Sequence, residues 1–307
     1  MSLLVLMFLA GLLVFGAAGW WLHEPLKLLP QTGNTVVDLE IEPGTPAQRV
    51  ADTVTASGVA VEPTLLYAWF RLSGQARQIK AGSYEITPGT TPRSLLSMLV
   101  RGEESLKSVV IVEGLNFRQV RAALQKAEAL KPDSMGMTPE AIMAQLGKPG
   151  LHPEGRFFPD TYTYAKGSSD LAVLKRAARA MDRRVEAAWA MRDADSPLKT
   201  PDQALILASI IEKETGKPAD RPEIGGVFSN RLRIGMLLQT DTPYNTYTRG
   251  GLPPTPIAMP GKASLLAAVK PAPTKALYFV AKGDGSSHFS PNLDEHNRAV
   301  NKYQRGQ

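Results

Sequence analysis

The stretch from Ser2 to Leu22 constrains this chain most, because it carries no charged side chain and is almost entirely apolar. At about 1.5 Å per helical residue it is long enough to cross a hydrocarbon core of about 30 Å. Trp20 and Trp21 close it, where amphipathic aromatic rings favour the headgroup region. A cleaved signal peptide would require a basic leader and a shorter apolar core. The leader is absent, although Ala17-Ala18-Gly19 offers a weak cleavage site. The preferred reading is a retained single span through residues 3–22, with the linker to residue 30. Lys27 is the first basic residue, so flanking charge does not set the orientation. With almost nothing before the span, the water-soluble mass is the C-terminal part.

A repeat organises the segment that follows. Ile41-Glu42-Pro43-Gly44-Thr45-Pro46 is echoed by Ile86-Thr87-Pro88-Gly89-Thr90-Thr91 and, more loosely, by Val112-Glu113-Gly114-Leu115-Asn116. Each copy reads as strand, glycine turn, polar cap and helix. Thr45 with Gln48 and Asn116 with Gln119 have capping-box spacing, in which the third helical side chain reaches back to the cap's N–H. Pro46 fits the first helical position, where a missing donor costs nothing. The pattern predicts helices over 46–57, 63–72 and 92–100, and strands over 79–87 and 107–112, after a strand at 35–41. Units of this kind resemble LysM-like modules, small α+β domains that bind polymers containing N-acetylglucosamine. Well-punctuated α+β connections with no binding role, or a spacer above the membrane, fit the same residues.

Composition narrows the chemistry. The roughly 280 residues beyond the span suffice for two modest domains with real cores. The chain has no cysteine, which excludes disulfides, thiolate metal sites and a cysteine nucleophile. Its four histidines, His23, His152, His288 and His296, show no metal-ligand spacing, and His288 and His296, eight apart with a turn between them, read as ordinary polar residues. The net charge of +6 is compatible with an anionic polymer or a membrane surface. Its basic residues form no tract, and Arg176, Arg179, Arg183 and Arg184 read as the solvated face of one helix. Nucleic-acid binding is therefore disfavoured.

The second half holds the candidate chemistry. Helices are predicted near 139–146, 170–192, 202–214 and 220–234, with an aromatic, proline-containing loop over 154–162. Gly225-Gly226 lowers helix propensity and so points to close approach of another backbone. Near the end of helix 202–214, Glu212 and Glu214 lie two positions apart and so point to nearly opposite sides. Leu207, Ile210, Ile211 and Glu214 share a stripe, which predicts that Glu214 is buried and Glu212 faces away. A carboxyl in apolar surroundings has its pKa raised and can act as a general acid. A solvated last turn before a Gly216 cap is the competing reading. Two later segments, 239–247 and 251–261, combine amides, hydroxyls, aromatic rings and prolines. Saccharide sites use that mixture, and proline-fixed loops lose less entropy on binding; a rigid surface loop is the alternative.

Several motifs occur in order: Leu207-Ala208-Ser209-Ile210-Ile211-Glu212-Lys213-Glu214-Thr215, Phe228-Ser229-Asn230-Arg231-Leu232, Met236-Leu237-Leu238-Gln239-Thr240-Asp241, Tyr244-Asn245-Thr246-Tyr247 and Gly251-Leu252-Pro253-Pro254. Together they resemble the YceG-like family of endolytic murein transglycosylases, over nearly the whole chain. The resemblance implies an α+β protein with a transmembrane anchor and linker over 1–30, a LysM-like module over 31–108 and a mixed α+β catalytic domain over 109–307. It further implies a bacterial inner-membrane location with the catalytic part in the periplasm, and peptidoglycan strands as substrate. Penicillin-binding proteins or other cell-wall synthases are implied partners, and no cofactor or metal is expected.

By the same resemblance Glu214, in Glu214-Thr215 at a helix end, is the catalytic acid. It protonates the oxygen between N-acetylmuramic acid and N-acetylglucosamine, then takes a proton from the muramyl C6 hydroxyl. Asn230, Gln239, Asp241, Tyr244, Asn245 and Tyr247 would line the saccharide cleft. Ordinary glycosidases use two carboxylates about 5–9.5 Å apart; Asp241 or Glu223 could be the second one if the enzyme were a muramidase. A non-catalytic peptidoglycan-binding scaffold is a further alternative. The chain departs from the family pattern in one place: Asp241-Thr242-Pro243-Tyr244 joins two motifs usually separated by a few tens of residues.

Overall fold

The computed structural model describes residues 11–13, 16–29, 36–240 and 246–306. The chain is α+β and divides into two compact units. One is Met1–Lys107 with Ala165–Gly167; the other is Ser108–Tyr164 with Ser168–Gln307.

In the first unit, the strand Val37–Ile41 alternates strictly, with Val37, Leu39 and Ile41 inside and Asp38 and Glu40 outside. It pairs antiparallel with Gly82–Ile86, setting Leu39 opposite Tyr84. The helices Ala47–Ala56 and Pro63–Leu72 lie between these strands in sequence, and Pro92–Arg101 follows. Val50, Val54, Leu66, Phe70, Leu95 and Leu99 from the three helices complete a core with Leu39 and Tyr84. The repeated turns share one geometry: Gly44, Gly89 and Gly114 all have positive φ, which side chains other than glycine rarely adopt.

The capping expectations divide. Asn116 and Gln119 form the predicted reciprocal box, and Thr91 with Ser94 forms another. The Thr45–Gln48 box is absent: Pro46, still extended, is the cap residue, and Thr45 Oγ1 instead donates to the Glu42 carbonyl at 2.8 Å. The hydroxyl thus closes the turn and does not cap the helix. Of the expected span, residues 3–10 and 14–15 lie outside the described residues. Residues 11–13 and 16–21 are helical, and among the described residues no helix is long and apolar enough to cross a membrane.

The second unit is built around the helix Pro201–Glu214. Asp170–Ala190, Arg221–Arg233 and Lys262–Val269 pack against it. A second cluster gathers Val120, Ile142, Phe157, Tyr164 and Val173. Gly225 and Gly226 behave as their sequence suggests, since a Cβ on Gly225 would lie 2.3 Å from the Ala267 carbonyl oxygen. The four arginines of Asp170–Ala190 are exposed, as expected. The 154–162 loop ends in a strand, Thr161–Ala165. Before it, Arg156 grips Asp202 with two bonds, at 2.6 and 3.0 Å, tying the loop to the first turn of Pro201–Glu214. The helix Lys262–Val269, the antiparallel pair Tyr278–Ala281 and Ser287–Ser290, and the helix Leu293–Val300 were not foreseen.

Candidate active site

The site begins with the helix that carries the two glutamates. Thr200 caps its start by accepting from Gln203 N at 3.2 Å, and Pro201 opens the first turn. Every residue from Ala204 to Ile211 is buried, so this helix is enclosed on all sides rather than along one stripe. A helix apolar all round carries no amphipathic signal to say which face looks where. That is why the expectation for its end inverts.

Glu212, predicted to face away, is held deep. Its side chain is 7% exposed and is paired with Arg221 at 3.2 Å. Its other oxygen accepts from Gly261 N at 2.8 Å and Ser264 Oγ at 2.7 Å, at the start of the helix Lys262–Val269. Glu113 lies against the same turn, because a Cβ on Gly261 would fall 1.7 Å from Glu113 Oε1. Burial, reinforced by the Glu212 carboxylate, pushes the Glu113 carboxyl above its ordinary range, and Arg221 opposes the shift. This cluster locks the helix end to two neighbouring segments.

Glu214 is half-buried and lines an open cleft of about 440 Å³. Gln239 and Tyr247, two of the expected substrate residues, line the same cleft, as do Arg231, Tyr278 and His296. After Glu214 the chain leaves the helix at Thr215, whose hydroxyl donates to the Ile211 carbonyl at 2.6 Å. Gly216 is not a left-handed cap. It is needed because a Cβ there would lie 2.7 Å from the Gly285 carbonyl oxygen.

Arg231 assembles the far wall. Its guanidinium is buried and donates to the carbonyls of Leu277 and Leu238, both at 2.6 Å, and it sits 5.2 Å from the Tyr278 ring centroid. The strand bearing Tyr278 and the segment bearing Gln239 thus hang from one side chain. Burial holds Arg231 below its usual pKa, but from so high a starting value it stays charged. Asn230, expected in the cleft, does not line it. Its Nδ2 donates to the carbonyls of Thr274 and Ala276 at 2.9 and 3.0 Å, and its Oδ1 accepts from Arg233. Glu223 accepts from Thr274 Oγ1 and also lies outside the cleft lining. Asp241, Tyr244 and Asn245 lie outside the described residues.

His296, read from sequence as an ordinary polar residue, stacks on Tyr278 at 5.2 Å and presents a buried Nδ1 with no hydrogen-bond partner among the described residues. Burial, with help from Arg231 and His288, lowers its pKa, which favours the neutral ring. An imidazole, a phenol, an amide and a carboxyl group around one cleft suit a polyhydroxylated ligand and proton transfer to it.

Comparison with known proteins gives this constellation its place. The model of the YceG-like family matches residues 39–242 and 239–302. The chain belongs to the YceG-like family. Relatives include the endolytic murein transglycosylase of Bacillus subtilis, 28% identical over 331 aligned positions that cover 95% of this chain and 91% of that protein. The endolytic murein transglycosylase of Streptococcus pneumoniae strain D39 is 25% identical over 96% of this chain, which spans only 64% of that longer protein. A crystal structure of a YceG-like protein from Listeria monocytogenes covers 86% of this chain and 98% of its own, with a TM-score of 0.52 and 25% identity.

The YceG-like match breaks in two at residues 239–242, the junction singled out in the sequence. The alignment with the Bacillus relative is longer than the 307 residues of this chain, so that relative carries residues without a counterpart here. On both sides of the junction the ends are pinned. Thr240 N donates to Thr246 Oγ1, and that hydroxyl donates to the Thr240 carbonyl, both at 2.9 Å. The clasp sets Gln239, at φ 53°, and Tyr247 into the cleft wall. His296 had no local signal beyond the Asn292 cap that starts its helix; only the fold brings it to Glu214.

Proposed function

We propose that this chain is an endolytic peptidoglycan lytic transglycosylase, a lyase that leaves 1,6-anhydro-N-acetylmuramic acid ends and trims nascent strands. The observation that carries the reading is Glu214 at its helix end, in one cleft with Gln239, Tyr247, Tyr278 and His296. Membership of a family whose curated relatives are named endolytic murein transglycosylases supports it. Glu214 protonates the glycosidic oxygen as the bond from muramyl C1 to that oxygen breaks. The resulting carboxylate takes the proton from the muramyl C6 hydroxyl while O6 bonds to C1. No water is consumed and the acid is regenerated, so one carboxyl group suffices. The aromatic rings of Tyr247 and Tyr278 offer faces for the apolar side of the sugar, and Gln239 and His296 offer polar atoms for its hydroxyls. Asp241, Tyr244 and Asn245 join them on the strength of the family motif.

The domain reading belongs with this proposal: an anchor over 1–30, a LysM-like module over 31–108 and the catalytic domain over 109–307. Two antiparallel strands separated by two helices support the LysM-like assignment of the first unit. The uncharged stretch Ser2–Leu22 supports a single span in the inner membrane, with the catalytic part in the periplasm near cell-wall synthases. The test is incubation of the full chain with peptidoglycan and mass spectrometry of the products. Anhydro ends that vanish in Glu214→Gln are expected. Reducing-end muramic acid without anhydro product would make the enzyme a muramidase, and no turnover would leave a binding scaffold.

A further inference from the structure

The helix Pro63–Leu72 of the first unit has two apolar stripes where a surface helix needs one. Leu66 and Phe70 are fully buried in the core. Leu65, Ala68, Trp69 and Leu72 form a second stripe at i, i+3, i+4 and i+7, on which Leu65 is 47% and Leu72 85% exposed. A helix apolar around most of its circumference is buried in protein or lies in lipid. This second stripe forms one wall of an open groove of about 430 Å³, and Ala17, Ala18, Trp21 and Leu22 form the other.

The second wall identifies the occupant, because it is the end of the uncharged stretch that begins at Ser2. Both walls are fixed to one segment. The Leu22 carbonyl accepts from Arg93 N at 3.4 Å, Leu26 N donates to the Thr90 carbonyl at 2.8 Å, and Trp69 Nε1 donates to the Pro92 carbonyl at 3.3 Å. His23 Nε2 lies 3.3 Å from Arg93 Nη1. Among the described residues, the end of the apolar stretch is bonded directly to the module, so the module's height follows it. Trp20, 67% exposed beside this groove, suits the same interfacial level. Arg71, bonded to Tyr67 OH, and Arg77 flank the next groove and add the positive charge that anionic headgroups attract.

We infer that the first unit rests on the bilayer, with Leu65 and Leu72 inserted at the level of Trp21 and acyl chains filling the groove; this rests on the reading of Ser2–Leu22 as a membrane anchor. The module is then a second attachment point to the bilayer.

The absence of cysteine allows single labels in the full chain. Leu72→Cys, Leu12→Cys and Asp52→Cys variants each receive an environment-sensitive fluorophore and are reconstituted into nanodiscs of phosphatidylethanolamine and phosphatidylglycerol. Brominated lipids should quench the labels at 72 and 12 by roughly twofold or more, as for a lipid-immersed probe, and leave the exposed position 52 unchanged. Quenching at 12 without quenching at 72 overturns the inference and leaves the anchor standing. No quenching at 12 removes the anchor and the inference together. A blue-shifted, unquenched label at 72 means that protein, such as a second copy, covers the face, which also overturns it.

Discussion

The two flanks of the Pro201–Glu214 helix end differ in how their carboxylates are used. On one flank Glu212 is saturated: Arg221, Gly261 N and Ser264 Oγ occupy its oxygens, and its side chain is almost out of solvent. On the other, Glu214 lines an open cleft of about 440 Å³ together with aromatic and amide groups. A buried ion pair of the first kind contributes little net stability over an apolar substitute, yet removing one partner is severe because a charge is left stranded. A group of the second kind faces the space that a ligand would enter. Burial by itself therefore does not say which of the two acids faces the cleft.

The sharpest way to break this contrast is to neutralise each acid in turn. Glu214→Gln should lower anhydro-product formation by roughly three orders of magnitude, in the range of lost general acid catalysis, with the melting temperature unchanged. Equal activity in the variant would move the chemistry elsewhere. Glu212→Ala should instead lower stability by about 3–5 kcal/mol, because Arg221 loses its buried partner. Chemical denaturation measures this, and activity should persist while the variant is folded. Abolished turnover in a folded Glu212→Ala would bring Glu212 into the chemistry.

The same contrast explains what was legible in the sequence. The first unit's elements follow from alternation, glycine turns and caps, all of which act within a few residues. The limits of Pro63–Leu72 fall where local patterning puts them, as does the Asn116–Gln119 box of the second unit. Glu214, Gln239 and Tyr247, singled out through their motifs, line one cleft. Periodicity misled on Glu212, since a helix enclosed by three others has no polar face for comparison. Arg231, Tyr278 and His296 converge from segments up to dozens of residues apart, and Asn230 turns to backbone carbonyls instead. Such long-range convergence leaves no local periodic trace.

A smaller effect sharpens the open flank. His296→Ala should weaken apparent affinity for soluble glycan strands by roughly tenfold, the worth of about one hydrogen bond, with turnover at saturation retained. Loss of turnover with affinity kept would give His296 a part in proton transfer. The lowered pKa also carries a sign for stability. The unfolded ring binds a proton in the window between the lowered and ordinary values while the folded ring does not, so stability falls as pH drops through that window.

The smallest effect belongs to Glu113 on the saturated flank, and its sign is opposite. Burial and the Glu212 carboxylate raise its pKa, so between the ordinary carboxylate value and the raised one the folded state holds a proton that the unfolded state has lost. Stability must therefore fall as pH rises through that window and level off above it. Glu113→Gln removes the titration while keeping the shape. Its melting temperature relative to the parent should climb across the same window, then run parallel to it. Melting curves at successive pH values read the difference directly. A constant offset would show that Glu113 is not strained by its neighbour, and that the saturated flank carries its two acids without repulsion.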